Sequence, residues 1–307
     1  MILNASGCLD ALTAPEVARQ FDAFVTKTVT PLPREGNPPP RIAETDTGML
    51  NTIGLANPGI EAFVDDVLPR LAELGIPIWV SVGGFSTDDY VRCCSLLDDR
   101  DEVAVVELNV SCPNVSAPEE SASEICAAAR GATSKPLYAK LSPAVPDVAA
   151  VAIAAANAGT DGLSLVNTIR GLALDERTLA PRLSTGAGGM SGPALRPVAL
   201  AAVYACRRVV DLPSVGMGGV FTGRHALEFV SAGATAVALG TVLFADPFAA
   251  SRVRAEMAAE AGDQGVDNPF ELGAISLRKT PGSSVDGVDN RLHGQREKAS
   301  ISTQNAP

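Results

Sequence analysis

The sequence predicts an α/β fold, a (β/α)8 or TIM barrel. It reads as a single domain over residues 1–261 with a polar tail over 262–307. Three observations predict it. Short apolar runs alternate with Ala-rich stretches of helical length, and such alternation implies a parallel sheet. The alternation repeats eight times in about 260 residues, the span of a closed barrel rather than an open doubly wound sheet. The strand runs are continuous Val, Leu and Ala, as expected where both faces of a strand are buried.

Taken in order, the first strand is Met1–Ala5 (MILNA) and the second Ala23–Thr28 (AFVTKT). The passage TPLPREGNPPPR (30–41) follows. Its prolines exclude helix and central strand, so it is a long loop, and a long barrel loop is often functional. A helix near 59–74 leads to strand Ile78–Gly83, and a helix near 86–98 to strand Val103–Val110. Helix 120–130 precedes strand Leu137–Leu141, and the Ala-rich helix 146–158 precedes Gly162–Thr168. Helix 194–210 returns to strand Pro213–Met217, helix 223–232 to the eighth strand, Ala236–Gly240, and a last helix runs over about 246–261. Beyond Gly262 the chain is polar without apolar periodicity, which reads as a disordered or loosely docked tail.

Chemistry-bearing residues collect at the C-terminal ends of these strands, where barrels place their active sites. Strand one ends in Ala5-Ser6-Gly7, and strand two carries Thr26-Lys27-Thr28. Strand four delivers Asn109, Ser111 and Cys112, strand five Lys140, and strand six Asn167-Thr168. A buried lysine is costly unless it meets an anion or another partner. Two lysines on inner strands therefore suggest an anionic ligand. The last two strands end in GMGG (216–219) and LGT (239–241). Glycines there let backbone N–H groups approach a phosphate closely, so a phosphate-bearing cofactor or substrate is expected.

Composition narrows the classes. The net charge is −11 and Lys and Arg are unclustered, which disfavours nucleic acid and anionic membrane as partners. No apolar run reaches the roughly 18 residues needed to span a bilayer. The N-terminus lacks a basic flank before an apolar core and does not read as a secretory signal. Six scattered cysteines (Cys8, Cys93, Cys94, Cys112, Cys126, Cys206) form no CxxC pair, and the only histidines are His225 and His293. Reduced thiols, a cytoplasmic location and no metal site are expected. His225 opens a predicted helix and reads as surface or cap, and His293 lies in the tail.

These stretches resemble the class 1 dihydroorotate dehydrogenases, FMN enzymes of pyrimidine biosynthesis. The resemblance is carried in family order by TKTVTPLPREGNPPPR (26–41), NTIGLANPG (51–59), ELNVSCPNV (107–115), KLSP (140–143), SLVNTIRG (164–171), GGMSGPALRP (188–197), GMGGV (216–220) and ALGT (238–241). REGNPPPR and NTIGLANPG look closer to the NAD-linked 1B catalytic subunit than to the fumarate-linked 1A enzymes. The resemblance implies oxidation of dihydroorotate to orotate, with a hydride passing to flavin N5 and a proton to Cys112 as general base. It implies that Lys27, Asn51, Asn109, Asn114, Asn167 and Thr168 hold the pyrimidine, Lys27 at its carboxylate, with backbone contacts from Gly54 and Leu55. Lys140 would sit at the flavin N1/O2 edge. Ala5, Ser6, Gly7, Thr26 and Val166 would line the isoalloxazine ring, with Lys27 and Asn109 also near it. Gly192, Gly218, Gly219, Gly240 and Thr241 would hold the phosphate. Asn57 reads as a turn former.

The implied partners are a homodimer core and an electron-transfer subunit carrying FAD and a 2Fe–2S cluster, since this chain has no sequence for either centre. A soluble acceptor and a one-flavin enzyme are the other routes for the electrons. The chain departs from the family where SAPEESASEI runs quickly into a helix after SCPN, shortening the lid loop, and where CLDALTAPEV follows Gly7. Two other functions compete with the main reading: a family member acting on another dihydropyrimidine or cyclic amide, and a non-catalytic flavin-binding subunit.

Overall fold

The protein is described by a computed structural model over residues 1–110 and 118–272. Twelve strands run in chain order: β1 Ile2–Asn4, β2 Phe24–Val25, β3 Ile42–Thr45, β4 Gly48–Asn51, β5 Ile78–Val82, β6 Val103–Asn109, β7 Leu137–Leu141, β8 Gly162–Leu165, β9 Ile169–Gly171, β10 Gly188–Ser191, β11 Ser214–Met217 and β12 Ala236–Leu239. Eight of them form one sheet in the order β1-β12-β11-β8-β7-β6-β5-β2, parallel throughout. These are the eight strands expected from the sequence. Most are shorter by a residue or more at one end, while Leu137–Leu141 stands unchanged.

The barrel closes between β1 and β2, where the ladder reduces to a single parallel bridge, Leu3 with Ala23. Asn4 completes that seam. Its side-chain amide donates to the carbonyl of Val25 at 2.7 Å and its side-chain oxygen accepts from the Val25 N–H at 2.8 Å. The fully buried Asn4 thus does for Val25 what a strand backbone would, in a place where an unpaired peptide group is costly.

Alternation along the strands sorts the apolar residues into two cores. Leu3, Val25, Trp79, Val105, Val215, Met217 and Ala238 fill the barrel interior, where the Trp79 and Tyr138 rings meet at 4.7 Å. Ile2, Phe24, Val80, Val106, Leu108 and Leu137 belong to the larger core with the helices. Helices occupy 60–72, interrupted by a π turn at Phe63–Val67, and Thr87–Asp98, Pro118–Ala132, Val148–Asn157, Arg196–Arg207, Gly223–Ala232 and Ala249–Asp263. Side chains fix several starts. Ser86 and Asp89 form a capping box, Asp147 caps Ala149 and Ala150, and Thr222 accepts from the N–H of His225. His225 therefore sits in the first turn of its helix.

The other four strands form an antiparallel sheet in the order β3-β4-β10-β9, which the sequence reading did not anticipate. It joins the segment after the Pro-rich loop to the segment after β8. Past the last helix, Val266, Phe270 and Leu272 pack against the main core, and Leu272 is buried. The rest of the expected tail, 273–307, lies outside the described residues. Among the described residues no helix is long and apolar enough to cross a membrane, and no group of His, Cys, Asp and Glu could hold a metal ion.

Candidate active site

A cavity of about 570 Å³ opens at the C-terminal ends of the barrel strands, within the range of roughly 300–1,000 Å³ usual for small-molecule and cofactor sites. The expected site residues converge on it from nine segments of the chain. β1 brings Ala5, Ser6 and Gly7; the segment after β2 brings Lys27; β4 and its loop bring Asn51, Gly54 and Leu55. β6 brings Asn109, β7 Lys140, and the end of β8 Val166, Asn167 and Thr168. Gly192 follows β10, Gly218 and Gly219 follow β11, and Gly240 and Thr241 follow β12. Cys112 and Asn114 lie outside the described residues.

Thr26 is the exception among the described candidates. It does not line the cavity; its hydroxyl donates to the Lys27 carbonyl and accepts from the Ser81 N–H, each at 3.1 Å. Only its carbonyl touches the site indirectly, accepting from the Ser6 hydroxyl at 2.7 Å. Thr28 stands at the cavity instead. The chain leaves strand geometry after Val25, so the simple inward-outward count stops there.

The floor is a polar web. Thr28 Oγ1 pairs with Ser81 Oγ at 3.1 Å and with Ser6 Oγ at 3.4 Å. The Asn109 amide donates to Thr28 Oγ1 at 3.4 Å, and its oxygen accepts from Asn167 at 3.1 Å. Asn167 in turn accepts from the Thr168 N–H at 2.8 Å, and Tyr90 donates its hydroxyl to the Asn109 carbonyl at 2.8 Å. Asn109 and Asn167 are therefore held in one rotamer each, with edges available to a flat heterocycle. Asn57, by contrast, accepts from the N–H groups of Thr30 and Gly59 and donates to Leu55 O, so it shapes the turn beside the cavity. That turn holds Leu55 at φ 56°, a left-handed conformation that a leucine adopts only under constraint.

Two ammonium groups face the same space. Burial holds Lys27 below the usual lysine range; a thiolate at nearby Cys8 would oppose that shift, and Lys140 adds to it. Lys140 is paired with Glu107 at 3.7 Å. Gly7, at φ 77°, leaves room for the Lys27 side chain, whose Cδ lies 3.0 Å from where a Cβ would stand. Burial pushes the Cys8 thiol up, against the opposing pull of Lys140 and Lys27. It pushes Cys93, Cys94, Cys126 and Cys206 up to about 12, so these four are packing thiols that stay protonated near neutral pH.

The glycine ends fit a phosphate. Gly218 and Gly219 both have positive φ, and a Cβ on Gly219 would lie 2.7 Å from the Gly192 carbonyl oxygen and 2.9 Å from Arg196 Cβ. Among the described residues no acceptor pairs with the backbone N–H of Gly219, Gly240 or Thr241, which leaves donors for a ligand's anionic oxygens. The sequence assigns Cys8 to packing, although it follows Ser6-Gly7, and it does not single out Asn37, Met49, Ser191, Leu195 or Phe244; all six line the cavity. Met49 and Ser191 reach it through the accessory sheet.

Comparison with known proteins decides the family. The family model for dihydroorotate dehydrogenase matches residues 1–260. The chain belongs to the dihydroorotate dehydrogenase family. It is 46% identical over 284 residues, 88% of this chain and 92% of the relative, to the protein from Desulforudis audaxviator named dihydroorotate dehydrogenase B (NAD(+)), catalytic subunit. Proteins of the same name from Listeria welshimeri and Geobacillus kaustophilus are 42% and 40% identical, each over 88% of this chain and 92% and 90% of their own length. The crystal structure of DHODH in complex with ferulenol from Eimeria tenella shares the fold at a TM-score of 0.73. Its identity is 23%, and the match covers 91% of this chain and 85% of that one. Dihydroorotate dehydrogenases are flavin-dependent oxidoreductases acting on a CH–CH bond.

Proposed function

We propose that this chain is the catalytic subunit of an NAD-linked dihydroorotate dehydrogenase, oxidising dihydroorotate to orotate in pyrimidine biosynthesis with FMN as its cofactor. The observation that carries this reading is one cavity that joins Lys27, Lys140 and the Asn109–Asn167 pair to the glycine ends after β11 and β12. One end suits a small anionic heterocycle and the other a phosphate.

In this reading Lys27 meets the substrate carboxylate. Asn51, Asn109, Asn114, Asn167 and Thr168 pair with the ring N–H and C=O groups, and Gly54 and Leu55 close over it with backbone contacts. Gly192, Gly218, Gly219, Gly240 and Thr241 hold the phosphate, and Ala5, Ser6, Gly7 and Val166 lie along the ring system. Bound FMN supplies the acceptor for the electron pair that leaves C6 of dihydroorotate. Cys112 takes the C5 proton, a role for which the four packing thiols pushed up to about 12 are unsuited. With FMN bound, Lys140 would stand toward the flavin N1/O2 edge, where its cation would favour negative charge. The polar web fixes Asn109 and Asn167 before substrate arrives, so orientation contributes to rate without a reorganisation cost.

The relatives' names, catalytic subunit of a NAD(+) enzyme, support a partner electron-transfer subunit; the FAD and 2Fe–2S cluster on that subunit, the homodimer core and the cytoplasmic location belong to the same proposal and rest on the sequence resemblance. The test is anaerobic addition of dihydroorotate to the purified yellow protein. Bleaching within seconds supports substrate and cofactor together. A spectrum that stays yellow sinks the substrate and favours a relative acting on another cyclic amide. A protein that purifies and reconstitutes without FMN sinks the cofactor.

A further inference from the structure

Beneath the cavity a second buried group faces Lys140. The Lys140 side chain is 8% exposed, and its Nζ lies 3.7 Å from Oε1 of Glu107, whose side chain is 2% exposed. On β8, Ser164 donates its hydroxyl to Glu107 Oε2 at 2.8 Å. The strand register sets Lys140 opposite both Asn109 and Ser164, so β6, β7 and β8 carry the three groups side by side across the barrel interior. The serine fixes one carboxylate oxygen, and Oε1 accepts no hydrogen bond among the described residues. The charge on that oxygen is therefore directed at the Lys140 ammonium.

No Asp or Glu lines the cavity among the described residues, while two lysines do. Glu107 is the carboxylate paired with one of them, Lys140. A packing role does not explain a carboxylate here, because apolar residues of similar volume serve a core as well as or better than a buried ion pair. We propose that Glu107 is a positioning residue for the redox step: it holds the Lys140 ammonium in place toward the N1/O2 edge of the cofactor, and Ser164 orients its carboxylate. The proposal rests on the reading that FMN occupies the cavity with Lys140 at its N1/O2 edge. Without the carboxylate the ammonium loses the buried partner that holds it there, and a displaced cation does less for negative charge arriving at N1/O2.

The experiment is a reductive titration of the flavin potential in the FMN-loaded wild type, Glu107→Gln, Lys140→Met and the double variant. Glu107→Gln keeps the volume and an acceptor for Ser164 but removes the charge. It is expected to shift the oxidised-to-reduced equilibrium at least about tenfold toward oxidised flavin, ~30 mV for the two-electron couple. The double variant should be no lower than Lys140→Met alone, because Glu107 acts through Lys140. An unchanged or raised potential in Glu107→Gln, or additive losses in the double variant, overturns the proposal. If Glu107→Gln does not fold, Ser164→Ala carries the test; a smaller fall in the same direction is expected, and an unmoved potential refutes it. A potential insensitive to Lys140→Met instead sinks the parent placement of Lys140, and a wild type that binds no FMN sinks both.

Discussion

Asn4 offers the most direct test of how this barrel is held shut. Replacing it with Leu keeps the number of side-chain heavy atoms at a fully buried position but removes both side-chain bonds to Val25. The Val25 N–H and C=O then lose their partners at a seam where only the Leu3–Ala23 bridge remains. A buried backbone group left without a partner costs about 1–3 kcal/mol. Two such groups, less about 1 kcal/mol regained from the added apolar burial, give a net loss of ~3 kcal/mol. For a domain of this size that is a fall of roughly 6–12 °C in melting temperature, since each kcal/mol shifts it by about 2–4 °C. The assay is thermal unfolding followed by circular dichroism on the flavin-free protein, so that cofactor binding does not enter. Asn4→Asp is the companion variant: it retains an acceptor for the Val25 N–H but sets an oxygen against the Val25 carbonyl, and should lose at least as much. A melting temperature within 2 °C of wild type for Asn4→Leu would refute the claim that this side chain substitutes for strand pairing.

Other expectations concern the site. Gly219→Ala places a methyl 2.7 Å from the Gly192 carbonyl oxygen on a backbone of positive φ, and FMN affinity should fall about tenfold or more, read by fluorescence titration of apoprotein. Lys27→Ala should raise KM for dihydroorotate more than tenfold with a smaller effect on FMN binding; an unmoved KM removes the lysine from the carboxylate. Because burial lowers Lys27 from its ordinary 10.5, its charge is lost on raising the pH before a free lysine would lose its own. KM should therefore rise on the alkaline side, and Lys27→Arg should flatten that rise. The same shift means Lys27 opposes folding at low pH, and that penalty is relieved as pH rises through its lowered value toward 10.5. Cys112→Ser should retain FMN yet lose most turnover near neutral pH, measured as flavin reduction in stopped flow.

The eight barrel strands were legible because each is an uninterrupted run such as VAVVEL or LYAKL, flanked by Gly, Pro or a helix start. The accessory sheet was not. Gly188–Ser191 is half-exposed and begins with two glycines, and Ile42–Thr45 exposes Ile42 and Glu44 and buries only the small Ala43, so neither announces an apolar face. Their pairing, Ile42 with Asn51 and Gly189 with Asn51, is a tertiary choice invisible to local propensity. At the site, strand ends announced Lys27, Asn109, Lys140 and the glycines. Thr26 and Thr28 exchanged roles because the chain turns out of the strand between them. Glu107 passed unnoticed inside ELNV, since an acid in an apolar run shows neither which way it points nor what meets it. Met49 and Phe244 carry no polar atom to mark them, and only the folded chain shows that they face a ligand.

The accessory sheet has a consequence for the order of assembly. Its central contact joins Asn51 to Gly189, which are 138 residues apart, and Asn51 lines the cavity. Loop closure over that distance is unfavourable in an open chain, so β4 and β10 meet only after the strands between them have been docked side by side. The sheet is then the last element to form and among the first to open. Amide exchange across 42–51 and 169–191 should accordingly occur as one unit, faster than across β6 and β7, and slow in both segments together once the cavity is filled. A newly made chain would be folded before it is able to retain its cofactor.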